Sequence, residues 1–257
     1  MRTLLTLTIL LSSTSVSALE IHSDHWLYGI PEGLSESNDL IIRRPYALSN
    51  NDDTKFADWV AYQLTPREVW TEPDLVRKWR PDPFLDADER LEPGKKAKDD
   101  YHKASKVEGF KFDRGHLAPL ASFKGSVYAS DVNYYSNITP QAAALNQGPW
   151  RILEEKVRTY VLKGNAVWVQ TGPLYEIEMA PLPGADETHK VPSGFWKIIQ
   201  TKDGKSASFI MEQTAERSAP VPSFAVSIDE IEQRSGLDIN PLSDADETVV
   251  NNEWFWE

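Results

Sequence analysis

The run Phe112-Asp113-Arg114-Gly115-His116-Leu117-Ala118-Pro119 sets a histidine two residues from an arginine, after a strand-like lead and before a turn. Thirty residues past the histidine, Asn146 stands in Leu145-Asn146-Gln147-Gly148-Pro149-Trp150. Between them lies Ser136-Asn137-Ile138-Thr139-Pro140-Gln141. Together these residues offer a proton acceptor, a phosphate-binding cation and a neutral oxygen ligand for a hard metal ion, which are the parts that metal-assisted phosphodiester hydrolysis needs. An unperturbed imidazole, with a pKa of about 6.5, is largely neutral at pH 7 and above and can take a proton from water. One metal ion can neutralise the phosphate and stabilise the leaving alkoxide, while arginines in the same groove clamp the phosphate bidentately.

Each residue alone also has a plainer reading. A histidine at a strand end is commonly a hydrogen-bonded structural residue, and an Asn before Gly-Pro commonly caps a helix or turn. Glu154 and Arg158, four apart on a predicted helix, fit a surface ion pair. Arg77-Lys78-Trp79-Arg80 fits a basic loop with no role, and His22, His25, His102 and His189 lie in no comparable arrangement. Asn137-Ile138-Thr139 matches a glycosylation sequon, but the segment reads as a buried strand end. Asn as a ligand favours an oxygen-seeking ion such as Mg²⁺ over Zn²⁺, and with no cysteine the sequence displays no His or carboxylate set for zinc. The joint presence of these residues is what points to chemistry.

The elements that must hold them are partly legible. Tyr46-Ala47-Leu48-Ser49, a polar turn at residues 50–53 and Trp59-Val60-Ala61-Tyr62-Gln63-Leu64 predict a hairpin. Residues 81–108, rich in Pro, Asp and Lys, read as a long surface excursion. Phe110 and Phe112 alternate into the histidine, which places His116 at a strand end, and residues 134–138 predict a second short strand that Pro140 ends. Gly148-Pro149 then predicts a helix start, with Trp150, Leu153, Val157 and Tyr160 at helical spacing. Further strands are expected at residues 166–171, 195–200 and 207–211, and a short helix over 227–236 capped by Ser227 and stopped by Gly236. The expected class is α+β with a central antiparallel sheet and flanking helices. The apolar tail Trp254-Phe255-Trp256 is expected to pack back on the body.

Composition bounds the rest. Residues 1–18 combine Arg2, a short apolar run and small residues ending at Ala18, the pattern of a cleaved export signal too short to span a bilayer. The expected product is one domain over residues 19–257, secreted or periplasmic, with no membrane partner. The absence of cysteine excludes disulfides and thiolate metal sites, so stability falls to packing, with nine Trp, nine Tyr and nine Phe available. A net charge of −12 argues at first against a nucleic-acid partner. The charge is uneven, however: residues 101–163 carry nine Lys/Arg against five Asp/Glu, and residues 229–257 carry nine acids and only Arg234. A basic middle in an acidic shell suits an enzyme that grips a few phosphates and releases its products.

At this level of detail the sequence resembles the DNA/RNA non-specific endonuclease family, secreted sugar-non-specific nucleases with a ββα-metal (His-Me finger) core that also include mitochondrial endonuclease G. The resemblance rests on residues 113–122, 136–141 and 145–154, and extends to Thr171-Gly172-Pro173-Leu174-Tyr175, Val191-Pro192-Ser193 with Trp196-Lys197, and Asp229-Glu230-Ile231-Glu232. It spans residues 40 to 240. It implies His116 as general base, Asn146 as the direct ligand of one Mg²⁺, with Mn²⁺ as a substitute, and Glu154 as holder of the metal's waters. It further implies Arg114 as a phosphate contact, Arg77 as the transition-state arginine, Asn137 as an aid to orienting His116 and Arg158 as a substrate contact. The implied substrates are DNA and RNA, cut internally with little sequence preference to leave 5′-phosphates. The rivals are an inactive nucleic-acid-binding relative and a hydrolase of another kind using paired carboxylates of the acidic tail. Oligomeric state stays open, with a homodimer among the alternatives.

Overall fold

The computed structural model describes residues 21–70, 77–94, 98–243 and 245–256; the expected leader, residues 1–18, lies outside them. Its frame is a six-stranded, wholly antiparallel sheet. The strands are β1 (Asp39–Ile42), β2 (Ala47–Asn51), β3 (Phe56–Leu64), β6 (Val167–Leu174), β7 (Gly194–Gln200) and β8 (Ser206–Glu212), in the order β1-β2-β3-β6-β7-β8. A separate two-stranded hairpin, β4 (Phe112–His116) with β5 (Ile138–Ala142), is inserted between β3 and β6 in the chain. The helices are short: α1 (Pro66–Val69), α2 (Asp100–Ala104), α3 (Ala143–Leu145), α4 (Arg151–Leu162), α5 (Ile228–Ser235) and α6 (Glu253–Trp256). Among the described residues no helix is long and apolar enough to cross a membrane.

The sheet is covered on both faces, which explains why its middle strands read as nearly continuous apolar runs. On one face Val60, Tyr62, Val169, Phe195, Ile199 and Phe209 pack with Leu153, Val157 and Val161 of α4. On the other, Trp59, Ala61, Trp196, Ile198 and Ile210 pack with Ile228 and Ile231 of α5. Trp59, Trp150 and Trp196 are fully enclosed, each contributing on the order of several kcal/mol of apolar burial. The tail follows the expectation: Phe255 is fully buried in the first core, with Trp254 and Trp256 packed against it. The α5 caps also match, since Ser227 Oγ accepts from Glu230 N at 3.0 Å and Gly236 stops the helix at φ +75°.

Three expectations are corrected, the last of them in part. The second strand of the hairpin is Ile138–Ala142 rather than 134–138, and Pro140 lies inside it opposite Arg114. A two-stranded sheet has only edge strands, so a residue lacking an N–H is tolerated there. The helix after it does not begin at Pro149: a turn at α3 and a wider turn over Asn146–Trp150 precede α4, with Gly148 at φ −106°, ψ −118° marking a kink. The excursion expected over residues 81–108 holds only in part: among the described residues most are exposed or half-exposed, but several anchor the segment to the body. Asp82, Leu85, Leu91, Asp99, Asp100, Tyr101 and Ala104 are buried there, and buried Asp82 accepts hydrogen bonds from Arg43, Phe84 N and Ser136 Oγ.

Candidate active site

Hairpin and helix bring the chemistry-bearing residues together. Arg114 and His116 lie two apart on β4, so they share a face, and His116 is the last residue of the strand, opposite Ile138. The turn beyond it is clamped by Asn137. Its Oδ1 accepts from Ala118 N at 2.8 Å, its Nδ2 donates to Ala118 O at 3.0 Å and Val132 O at 2.8 Å, and its carbonyl accepts from Leu117 N at 3.0 Å. The residue that touches the imidazole is Asn133 instead, whose Oδ1 lies 3.1 Å from His116 Nε2. With the Asn133 amide in this orientation its oxygen accepts, which goes with the tautomer in which Nε2 carries the proton and Nδ1 keeps the lone pair. Trp79 packs against the ring at 5.2 Å between centroids. Burial pushes the His116 pKa down to about 4, against the upward pull of the Asn133 bond and with a further downward push from the Arg77 charge. At neutral pH the ring is therefore uncharged.

Arg114 is held on every side. Its Nη2 donates to Asp99 Oδ1 at 2.6 Å and its Nε to the Tyr135 hydroxyl at 2.9 Å, while that hydroxyl donates to Asp99 Oδ2 at 2.9 Å. The guanidinium also lies over Trp79 and Tyr101, 5.5 and 5.2 Å from the ring centroids. Burial of Asp99 favours its neutral form, but donation from His102 N and Arg114 outweighs it and holds the carboxyl below its ordinary range. The arginine is thus fixed before any ligand arrives.

Asn146 stands at the C-cap of α3 in helical geometry, its backbone N–H bonded to Ala143 O, while its side chain is directed to Asp113 rather than to a helix end. Its Nδ2 donates to Asp113 Oδ2 at 2.9 Å, and Gln147 Nε2 donates to the same oxygen at 2.8 Å, which turns Asn146 Oδ1 and Asp113 Oδ1 free of that pairing. A cleft of about 410 Å³ is lined by Arg77, Trp79, Asp113, Arg114, His116, Asn146, Gln147, Arg151 and Glu154, with Pro119, Leu120 and Ala121 at its wall. Burial pushes the Glu154 carboxyl above its usual pKa, opposed by the cations of Lys197 and then Arg158. Lys197 comes up from β7 on the face that α4 covers, its Nζ buried over the Trp150 ring at 4.4 Å.

Five of the seven residues singled out from sequence line this cleft, and two do not. Asn137 supports the turn after His116, and Arg158 stands one helical turn past Glu154, near Glu154 and Lys197; the i,i+4 ion pair that α4 does make is Arg151–Glu155, at 2.5 Å. Sequence reasoning missed Asn133, Asp99, Tyr135 and Arg151, none of which carries a local pattern. His25 and His189 are buried and bonded to backbone, His25 to Arg43 O and His189 to Leu182 N, as the plain reading expected. A carboxylate set that the sequence did not display does exist elsewhere: Asp39, Asp52 and Glu89 bring oxygens within 4.8 Å of one another, outside the cleft.

The kink at Gly148 positions Asn146 relative to α4, and it has no room for a side chain. A Cβ there would lie 2.6 Å from Arg217 O and 2.8 Å from Arg217 Cα, both backbone atoms. Gly148→Ala is expected to lower stability by roughly 1–3 kcal/mol, read as a lower midpoint in thermal unfolding; an unchanged midpoint would show that the segment at Arg217 yields freely.

Fold and site define a nucleic-acid hydrolase: residues 28–246 match the family described as DNA/RNA non-specific endonuclease, and the chain belongs to that family. It is a nuclease. A nuclease of Serratia marcescens is 40% identical over 241 residues, covering 91% of this chain and 87% of that protein. Human mitochondrial endonuclease G is 32% identical over 233 residues, covering 82% and 71%. In fold, the chain is similar to one in a crystal structure of an EndoG/EndoGI complex, with a TM-score of 0.68 over 84% of this chain and 90% of that one, at 24% identity.

Proposed function

We propose that the chain is a metal-dependent endonuclease that hydrolyses phosphodiester bonds of DNA and RNA with little sequence preference. The observation that carries this is the convergence in one cleft of a neutral histidine, a locked arginine and a group of oxygen ligands. The antiparallel hairpin β4–β5 with α4 after it supports a ββα, His-Me finger reading of this site, in a domain proposed to span residues 19–257. His116 Nδ1 takes the proton from the attacking water, while Asn133 holds the ring and Asn137 reaches it only by fixing the turn at Leu117-Ala118. Arg114 binds a non-bridging phosphate oxygen, and Arg77 and Arg151 add positive charge at the same cleft. Arg158 lies outside the cleft lining, and the role that its position supports is an electrostatic one on Glu154.

The donors available for a metal ion are Asn146 Oδ1 and the carboxylates of Asp113 and Glu154, an all-oxygen set without sulfur, which fits Mg²⁺ with Mn²⁺ as a substitute. Asn146 would be the direct ligand, and Glu154 would hold the ion's waters. Such an ion neutralises charge on the phosphate and stabilises the leaving oxygen. The pattern of residues 1–18 supports the further proposal that this activity is exported from the cytoplasm.

Digestion of supercoiled plasmid and of total RNA by residues 19–257, with Mg²⁺ and with excess chelator, tests the reading. Metal-dependent loss of both substrates is expected. Loss of one only would make the enzyme sugar-selective, and binding without cleavage by folded protein would overturn the catalytic assignment. The acid limb of kcat/KM is expected near pH 4 in the free enzyme, where His116 becomes protonated. Burial is the main cause of the low value and Arg77 a lesser one, so Arg77→Ala is expected to move that limb upward only modestly, leaving it below the ordinary histidine range of about 6.5. A pH–rate profile with an unmoved limb would remove Arg77 from the histidine's electrostatics.

A further inference from the structure

Asp39 opens β1, Asp52 lies in the β2–β3 turn and Glu89 ends a single helical turn at residues 87–89. These three positions are far apart in sequence, yet one carboxylate oxygen from each falls within 4.8 Å of the others, a spread that ligands at about 2.4 Å from one ion can share. Asp53, Asp86 and Asp88 stand close by, and Lys55 is the cation of the group, its Nζ donating to Asp52 O. Burial raises the pKa of Asp39, with Glu89 and Asp86 adding to it; burial likewise raises that of Asp52, with Asp39 next and Lys55 opposing. The cluster therefore carries repulsion that Lys55 leaves uncompensated.

A second observation is independent of the acids. Asn50 is completely buried, and its Oδ1 has no hydrogen-bond partner. It is the direct cross-strand partner of Asp39, so the two side chains stand on one face of the sheet. Its Nδ2 is taken up by Glu89 O at 3.0 Å, which ties the amide to one member of the cluster and leaves Oδ1 as its free end, on the face of the sheet that Asp39 shares. A buried amide oxygen without a donor is costly. A cation bound by the neighbouring carboxylates would supply its partner.

We propose that Asp39, Asp52, Glu89 and the amide oxygen of Asn50 form a second cation site, for a hard divalent ion of the calcium type, separate from the catalytic cleft. Three carboxylates and one amide oxygen, from two strands, a turn and a short helical segment, match the irregular six-to-eight-oxygen shells that Ca²⁺ accepts, water filling the remainder. Mg²⁺ fits less well, since it demands near-octahedral geometry and keeps most of its water. An ion here ties the edge of the sheet to the segment leading to Asp99, the residue that locks Arg114. The proposal does not depend on the catalytic reading.

Thermal unfolding tests it without reference to activity. Moving from excess chelator to millimolar Ca²⁺ is expected to raise the midpoint by roughly 3–10 °C, both in the wild-type chain and in Asn146→Ala, which removes the cleft's ligand. The double variant Asp39→Asn/Asp52→Asn is expected to lose this shift. Relief of repulsion should leave its midpoint in chelator equal to or above that of the wild type, which separates loss of a site from loss of the fold. No shift in the wild type, a shift retained in the double variant, or a shift abolished by Asn146→Ala would each overturn the proposal.

Discussion

His116→Ala is expected to slow phosphodiester cleavage by roughly 10²–10⁴-fold, the contribution of a positioned general base, while leaving a folded protein. The side chain is half-buried and its polar anchor is the bond to Asn133. Alanine leaves the buried Asn133 amide oxygen unpaired, at a cost of about 1–3 kcal/mol, which lowers the midpoint by several degrees without abolishing the fold. Truncation also vacates a space beside Trp79, against which the imidazole ring packs. Added imidazole is therefore expected to restore part of the rate, and more as the pH rises to make it neutral. Near-normal cleavage by the folded variant would dismiss His116 as the base; a slow variant that imidazole fails to rescue at any pH would point to a positioning role.

Asn146→Ala carries the second-largest expected effect. It deletes the neutral oxygen placed for the metal ion and removes one of the two donors that hold Asp113 Oδ2, leaving Gln147. Half-saturation by Mg²⁺ is expected to rise by at least about 10–100-fold, the loss seen when only an outer partner of a ligand is removed. The rate at saturating metal should fall as well, since Asp113 is freed to turn. Stability should change little, because the C-cap bond that Asn146 makes at the end of the three-residue helix α3 comes from its backbone N–H, which alanine keeps. A metal titration that matches the wild type would assign the ion to Asp113 and Glu154 instead.

Sequence legibility followed the physics of each segment. β3, β6, β7 and β8 were readable because strands covered on both faces must be apolar throughout. β1 escaped notice because an edge strand of four residues, Asp-Leu-Ile-Ile, half-exposed, carries too little pattern. The connection from 81 to 108 misled in part because two of its acids are paired and buried, Asp82 with Arg43 and Asp99 with Arg114, and composition cannot distinguish buried pairs from solvated ones. In the site, the groups that would touch substrate or metal sit in short local blocks around His116 and Asn146. Those that orient them, Asn133, Asp99 and Tyr135, arrive from neighbouring turns, and only three-dimensional packing identifies them.

The central sheet also divides the molecule's charge. Arg77, Arg114 and Arg151 gather at the cleft on the side of α4, whereas α5 on the opposite face begins Asp229-Glu230 and carries Glu232. A body of net charge −12 is repelled by a polyanion at long range, but a body so polarised also feels a torque that turns its cleft toward the strand as it approaches. Repulsion and torque are both screened beyond about 10 Å at 0.1 M salt. At very low ionic strength the encounter rate should therefore climb as salt is first added, then decline once the cleft's own grip on phosphate is weakened, giving a salt optimum set by the molecule's asymmetry rather than by its chemistry.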